Sequence, residues 1–222
     1  MAMKRIFALL CAVSLSVVAL AQNFDELNPQ ESGRDAVLNG FREEGFGGPR
    51  ERREPKSVLV DETYPSGDRY VGYKKGDMNH GQGIYYWADG SRYEGEFSKS
   101  DLCGFGTLYK ADGTKFFEGE FKNNQPHGVG TLYFSNGRRY VGEWENGVES
   151  GSGILYGADN RVIYGGYWKD GQPNGTGTYY WEDGRKYVGE FLNGKSHGKG
   201  TLYNADGSVF YTGEWQNDQP AK

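Results

Sequence analysis

The residues best suited to chemistry are the three histidines and a cysteine, and all of them occupy one recurring position. That position, directly before a Gly-x-Gly, is held in turn by His80, Cys103, His127, Ser150, Asn174 and His197. Imidazole and thiolate groups can bind zinc or form a nucleophile with its base. Copies of the position that carry histidine are at least two units apart, roughly 19 Å in a sheet, so they cannot share an ion. We interpret the position as a turn residue with local hydrogen bonds.

Other catalytic signatures are missing from the sequence. It has no Gly-x-Ser-x-Gly, no phosphate-binding Gly-Lys-Ser/Thr and no clustered pair of catalytic acids. We therefore predict a protein that is not an enzyme, with no catalytic residues, no metal site and no cofactor.

The elements that position these residues are copies of one short unit. An aromatic residue followed two positions later by glycine recurs every 23 or 24 residues, at Tyr70/Gly72, Tyr93/Gly95, Phe117/Gly119, Tyr140/Gly142, Tyr164/Gly166, Tyr187/Gly189 and Tyr211/Gly213. A Gly-x-Gly begins eleven residues after each of the first six aromatics. Self-similarity at this period indicates a stack of small identical units rather than a domain with one pocket.

Each unit has the pattern of a β-hairpin. Aromatics and glycines alternate with other residues in runs of about five to seven, and segments such as Glu145-Asn146-Gly147 separate the runs. Asn and Gly supply the positive φ that tight turns need. The fold class predicted is all-β: an elongated single-layer antiparallel β-meander of repeated hairpins, with about fourteen strands.

Glycines inside these strands need a steric reason, because glycine normally weakens a strand. We predict that a large ring from the adjoining strand lies flat over the bare backbone, and that Gly142 is covered by a neighbour such as Tyr140 or Trp144. The same alternation places five glutamates on the opposite side, at Glu96, Glu120, Glu143, Glu190 and Glu214. We interpret that row as a solvated stripe rather than a cation site.

A second period of 47 residues underlies the first. Three residue steps separate the closing turn from the next aromatic in odd units, but four in even units. One extra residue in one strand of an antiparallel pair produces a β-bulge, so bulges are predicted near residues 114–117, 161–164 and 208–211.

A set of large apolar residues follows the same alternation and forms the candidate binding edge. One such residue belongs to every closing turn: Trp87, Phe116, Phe134, Ile163, Trp181 and Phe210. Two interpretations stay open. The candidate binding edge is either a satellite core covered by the turns themselves, or an exposed surface for a partner or for self-association.

The unit resembles the MORN (membrane occupation and recognition nexus) repeat. The phrase Tyr/Phe-x-Gly-x-Trp/Phe followed by His-Gly-x-Gly-Thr-Leu-Tyr is clearest from Phe117 to Phe134 and from Tyr187 to Tyr203. The resemblance covers residues 70–215 as six repeats and a partial seventh. It implies an elongated single-layer sheet used for protein contacts, scaffolding and sometimes lipid contact, and it implies no chemistry.

The remaining segments flank the array. Residues 1–21 are predicted to be a secretory signal peptide, because Lys4 and Arg5 precede an apolar run that ends in Ala19-Leu20-Ala21. Residues 22–56 are rich in charge and poor in apolar residues, which predicts a disordered tether. Residues 57–69 resemble half a unit and are expected to cap the N-terminal edge, while residues 216–222 form a tail.

The net charge limits the classes of partner, and the cysteine count limits the disulfides that can form. The net charge is −5, and −7 once Lys4 and Arg5 are removed, which argues against nucleic acid and gives little support to anionic membranes. The single cysteine left beyond residue 21 cannot form an internal disulfide. The leading hypothesis is an exported scaffold, periplasmic, envelope-associated or secreted, that binds a protein partner or its own copy. A glycan-binding module using aromatic rows is the alternative, and lipid contact ranks third.

Overall fold

The computed structural model describes residues 56–221, and these form one open antiparallel sheet. The predicted signal peptide and nearly all of the predicted tether lie outside the described residues. The strands are β1 (Ser57–Thr63), β2 (Arg69–Lys75), β3 (Met78–Tyr86), β4 (Arg92–Ser98), β5 (Asp101–Tyr109), β6 (Lys115–Lys122), β7 (Gln125–Tyr133), β8 (Arg139–Glu145), β9 (Val148–Tyr156), β10 (Val162–Lys169), β11 (Gln172–Tyr180), β12 (Lys186–Leu192), β13 (Lys195–Tyr203), β14 (Val209–Gln216) and β15 (Gln219–Pro220). Each strand pairs with the next in the chain, so the single-layer meander predicted from the sequence is confirmed.

The strands are joined by two kinds of connection, one on each long edge of the sheet. Five-residue loops such as 87–91 lie along what we call the loop edge; there Trp87 N–H donates to Ser91 O at 2.9 Å, and Asp89 accepts from Ser91 N–H. Two-residue turns lie along the other edge, where Asn146 and Gly147 have φ of 51° and 84°. This alternation of connections places all six residues of the candidate binding edge along the loop edge.

The core is a single ladder of aromatic rings on one face of the sheet, called here the ring face. From Tyr93 to Tyr187, each repeat aromatic touches the ring four positions after it and the corresponding ring of the adjacent unit; Tyr140, for example, contacts Trp144 at 5.4 Å and Trp168 at 4.9 Å between centroids. The contacts are edge-to-face and run without a break from Tyr70 to Tyr211. Such a pair contributes about 0.5–1.5 kcal/mol beyond the burial of apolar area, so the ring contacts between units couple the stability of each unit to that of its neighbours.

Rings cover the strand glycines, as predicted, but the prediction that the ring comes from the adjoining strand is only half right. In most units one ring covers two glycines, one in its own strand and one in the adjoining strand. Tyr164 bends over Gly166 in its own strand and over Gly177 in the next, where a Cβ would lie 2.7 Å from the ring. The ring thus fills the place of two side chains. Gly142 is likewise covered by Tyr140, one of the two candidates from the sequence, and not by Trp144.

The ring is not the only group that excludes a side chain at the repeat-defining glycines, as Gly119 and Gly189 illustrate. A Cβ built on Gly119 would lie 2.4 Å from the Gly130 Cα, whereas the Phe117 ring is 3.1 Å away, so the prediction is wrong there. At Gly189 the prediction is incomplete, because the tyrosine Oη at 2.5 Å is matched by the Gly200 Cα at 2.6 Å. The physical reason is the register, which sets each glycine directly opposite a glycine of the next strand. The backbones approach closely where neither residue has a side chain.

The bulges predicted from the 47-residue period are present. The register shifts where Leu108 and Tyr109 face Phe117 and Lys115, which leaves Phe116 as the extra residue. Ile163 and Phe210 are the extra residues in the two equivalent places. Bulges near 114–117, 161–164 and 208–211 are therefore confirmed.

A second series of irregularities lies at the Gly-x-Gly motifs and was not predicted. In β9, for example, Gly153 pairs with Gly142 and Glu149 pairs with Trp144, so three residues of β9 face one residue of β8. The first glycine of the motif, Gly151, has a φ of 64°. The steric reason given for both glycines of the motif is therefore wrong for the first one, which is required by its left-handed backbone.

Candidate functional site

The histidine and cysteine positions lie inside strands, next to the bulges of the Gly-x-Gly motifs. The prediction that they are turn residues is therefore wrong. Two of their backbone carbonyls accept a hydrogen bond from a covering tyrosine: Tyr93 Oη donates to Cys103 O at 3.3 Å and Tyr187 Oη donates to His197 O at 3.5 Å. Burial is the largest cause that raises the pKa of the Cys103 thiol. Within residues 56–221 no three His, Cys, Asp or Glu side chains are grouped as a metal site requires.

The predicted row of glutamates lies on the face opposite the ring ladder, called here the glutamate face. Glu143 folds back over Gly151, and its Oε1 accepts the Ser152 N–H at 3.1 Å. The carboxylates of Glu120 and Glu190 accept the corresponding N–H groups at 3.2 and 3.4 Å. Part of the row therefore holds the bulged backbone, a role that the sequence did not reveal because it depends on the cross-strand register.

The glutamate face also exposes large apolar side chains. Phe105 and Val129 pair with Glu120 and Glu143 across neighbouring strands, and cross-strand partners share a face. Tyr167 holds the glutamate position in its own unit. The exposed fractions are large: Leu59 65%, Tyr73 46%, Phe105 60%, Val129 55% and Tyr167 57%. Exposed apolar residues aligned on one face are a mark of an interaction surface.

Charge on the glutamate face is arranged as two stripes. Near the loop edge, cationic side chains lie over tyrosines of the adjacent strand: Arg69 over Tyr86, Arg92 over Tyr109, Arg139 over Tyr156 and Lys186 over Tyr203, at 3.8 to 5.5 Å from the ring centroids. The glutamate row runs parallel to them, about four residues further along each strand, or about 13 Å. Two of these cations are ion-paired on the same face, Arg69 with Asp61 at 2.7 Å and Arg92 with Glu94 at 2.6 Å. The cationic side is therefore only partly positive, and the apolar residues lie along the negative side.

The six residues of the candidate binding edge differ in exposure. Trp87 and Phe116 are buried, at 8% and 9% exposure, and belong to the core. Phe134, Ile163 and Trp181 are half-buried and pack against it. Phe210 is 66% exposed. The loop edge therefore acts as a satellite core at its N-terminal end and offers apolar surface only towards its C-terminal end.

Most loops touch one another in pairs, and loop 64–68 joins the first pair, since a Cβ built on Gly67 would lie 3.2 Å from the Ala88 Cβ. A Cβ built on Gly90 would lie 3.2 Å from the Ala111 Cβ, and one built on Gly184 would lie 3.1 Å from the Ala205 Cβ. Nothing lies within 4 Å of a Cβ built on Gly113, at the junction between one pair of loops and the next. At the following junction, loops 157–161 and 181–185 border a groove of about 730 Å³ lined by Ile163, Trp181, Arg138 and others. The 47-residue period is thus also visible in the shape of the loop edge.

Among the described residues, one carboxyl side chain is buried beside the aromatic core. Glu149 is 4% exposed and pairs with Trp144 in β8. Its Oε2 has no hydrogen-bond partner among the described residues. Burial raises the pKa of the Glu149 carboxyl to about 7, while a hydrogen bond from its own backbone N–H opposes the rise. Nothing in the repeat pattern marks this residue, because a glutamate in alternating strands is ordinarily exposed.

No helix in the described part of the chain is long and apolar enough to span a membrane.

Comparison with known proteins identifies the repeat. The family model described as "MORN repeat" matches residues 70–92, 93–115, 117–138, 140–160, 164–184, 187–209 and 211–221. A curated relative, "Phosphatidylinositol 4-phosphate 5-kinase 1" from Oryza sativa subsp. japonica, is 48% identical over 46 residues, which is 21% of this chain and 6% of the relative. A solved structure, a mutant of the TCP10 domain of CPAP from Danio rerio, matches with a TM-score of 0.41 and 17% identity over 70% of this chain and 71% of that one.

Proposed function

Because the chain belongs to the MORN-repeat family of repeat scaffolds, we propose that it is an exported, non-enzymatic scaffold that binds a protein partner through its glutamate face. The observation that carries the proposal is the series Leu59, Tyr73, Phe105, Val129 and Tyr167, each between 46% and 65% exposed on that face. The opposite face is closed by the ring ladder and its covered glycines, so it has no comparable apolar surface to offer.

The two charge stripes define the partner's chemistry. A matching partner is an elongated protein surface with apolar side chains flanked by basic residues on the side that meets the glutamates. Acidic residues would flank it on the side that meets Arg139 and Lys186. Charge complementarity of this kind fixes orientation and excludes the reversed arrangement, in which like charges would face each other.

The two other hypotheses have less support. Sugar stacking by the repeat aromatics is disfavoured, since Tyr70, Tyr93, Tyr164 and Tyr187 are fully buried. Lipid contact is suggested by the printed name of the rice relative, but this chain has a net charge of −5 and a pI near 5.3. Anionic membranes select basic surfaces.

The test compares two variants of the chain that begins at Gln22. Phe105→Lys places a charge in the apolar series, and Phe210→Lys places the same charge on a residue of similar exposure at the loop edge. Each variant is used as bait in extracts of the source cells, and bound proteins are quantified and then tested singly by titration. We expect the partner to bind the Phe210→Lys variant as it binds the wild type, and the Phe105→Lys variant at least tenfold more weakly.

Equal loss in both variants, or loss only with Phe210→Lys, would contradict docking on the glutamate face. Retention of wild-type chain by neutral liposomes or by cell-wall oligosaccharides, with no protein bound, would contradict a protein partner. Export is tested separately by N-terminal sequencing of the protein from the envelope and the medium. A protein that retains Met1 and stays in the cytoplasm would refute that part.

A further inference from the structure

Near the C-terminal end of the sheet, the outer edge of β14 is only partly paired. β15 pairs with Trp215 and Gln216 of β14, and Ala221 N–H donates to Glu214 O at 2.8 Å. No described residue pairs with the outer side of β14 from Val209 to Gly213. In the equivalent strand β10 this side is filled by β11, with Gly166 facing Gly177.

The unpaired part of β14 accepts only a particular kind of strand. The Tyr211 ring bends over Gly213, with its Oη 2.5 Å from where a Cβ would stand. In earlier units the same ring also covers the second glycine of the next Gly-x-Gly, as Tyr164 covers Gly177. A strand that pairs with β14 in this register must therefore carry a glycine opposite Gly213, since any side chain there meets the ring.

A further group on β14 points to the same requirement. Glu214 follows Gly213 as Glu120 and Glu143 follow their glycines, and those carboxylates accept the N–H between the two glycines of the next strand. Glu214 has the position to do so for an added Gly-x-Gly. β1 of another copy does not meet the requirement, because Ser57–Thr63 contains no glycine.

The chain contains one Gly-x-Gly outside the six in the described sheet. It is Gly45-Phe46-Gly47, the same residue types as Gly104-Phe105-Gly106 of β5. Ten residues separate Gly47 from Ser57, and ten residues span about 35 Å at most. Thirteen strand intervals separate β1 from β14, about 60 Å at 4.8 Å each. The segment cannot reach the β14 edge of its own chain.

We propose that β14 of one copy takes up the segment Glu44–Gly48 of a second copy as an added strand, with Gly47 opposite Gly213 and beneath Tyr211. Strand addition of this kind gains backbone hydrogen bonds along the edge and specificity from the residue pattern. The contact joins unlike surfaces of two copies, so it propagates head to tail rather than closing a symmetric dimer. It does not depend on the partner proposed for the glutamate face.

The experiment uses the chain that begins at Gln22 and two single substitutions outside the folded sheet. Gly47→Val places a side chain under Tyr211, while Gly40→Val makes the same change outside the Gly-x-Gly. Sedimentation velocity from about 5 to about 500 µM covers the range expected for a short added strand. We expect the mass of the wild type and of Gly40→Val to increase with concentration, and Gly47→Val to remain monomeric.

A labelled peptide of residues 41–50 provides the second measurement. It should bind the Gly47→Val chain, whose β14 edge is intact, and the same peptide carrying Gly47→Val should bind at least tenfold more weakly. A wild-type chain that stays monomeric throughout, assembly that Gly47→Val leaves unchanged, or peptide binding indifferent to that substitution would each overturn the proposal. None of these results depends on whether the partner of the glutamate face exists.

Discussion

Burial of Glu149 predicts that this one residue destabilises the folded protein increasingly as the pH rises from acidic to neutral. Glu149 lies opposite the second ring of its unit, Trp144. The residues opposite the second ring in other units are Leu102, Pro126, Pro173 and Ser196. The carboxyl therefore lies among aromatic rings in a place built for an apolar or small residue. Glu149→Gln keeps the shape of the side chain and removes its charge, so it isolates the cost of burying that charge.

The magnitude follows from the pKa. Burial raises the pKa of Glu149 from 4.5 to about 7, and each pH unit is equivalent to about 1.4 kcal/mol. The neutral form is favoured in the folded state, so full stability is present below pH 4.5 and is lost as the pH rises through 7. The loss reaches about 3 kcal/mol above pH 7.5. Glu149→Gln should therefore be about 3 kcal/mol more stable than the wild type at pH 8, but no more stable at pH 4.5.

Urea unfolding followed by tryptophan fluorescence at pH 4.5, 6, 7 and 8 measures this difference. Glu145→Gln is the matched control, because Glu145 lies in the adjacent strand β8 and is exposed; its difference from the wild type should stay within about 0.5 kcal/mol at every pH. If Glu149→Gln has the same stability as the wild type at pH 8, or if the difference between them does not change with pH, the reasoning from burial is refuted.

Three further predictions concern the ladder, the loop edge and the glutamate row. Gly177→Ala should cost more than about 3 kcal/mol of unfolding free energy, since its Cβ would meet the Tyr164 ring. In a Tyr164→Leu background that cost should fall sharply; an unchanged cost would contradict the steric account. Trp87→Ala should lower stability by about 3–5 kcal/mol and Phe210→Ala by less than about 1, given exposures of 8% and 66%. Both losses are measured by thermal and urea unfolding. If the two variants lose similar amounts of stability, the loop edge packs evenly and the prediction is wrong. Glu143→Ala should cost about 1 kcal/mol and speed hydrogen exchange at the Ser152 amide, and unchanged exchange would argue against that hydrogen bond.

Sequence spacing was enough to predict most of the fold. The recurrence of Tyr140-x-Gly142 gave the hairpin unit, and the alternation of 23 and 24 residues gave the three bulges, because both depend on positions along one strand. Gly151 was misinterpreted, since its left-handed φ results from a register shift between two strands. The exposure of Trp87 against that of Phe210, and the burial of Glu149, likewise depend on which neighbour packs over each residue. The spacing of residues along the chain does not show which neighbour packs over which residue.

The alternation of hairpins also limits how the protein can change length over generations. Loss of one hairpin, 23 or 24 residues, would place two hairpins of the same kind side by side and remove either a loop contact or a groove at the new junction. Gain or loss of 47 residues leaves every junction as it was. Duplication in this gene is therefore expected to survive in steps of two hairpins, so that descendants differ by even numbers of units.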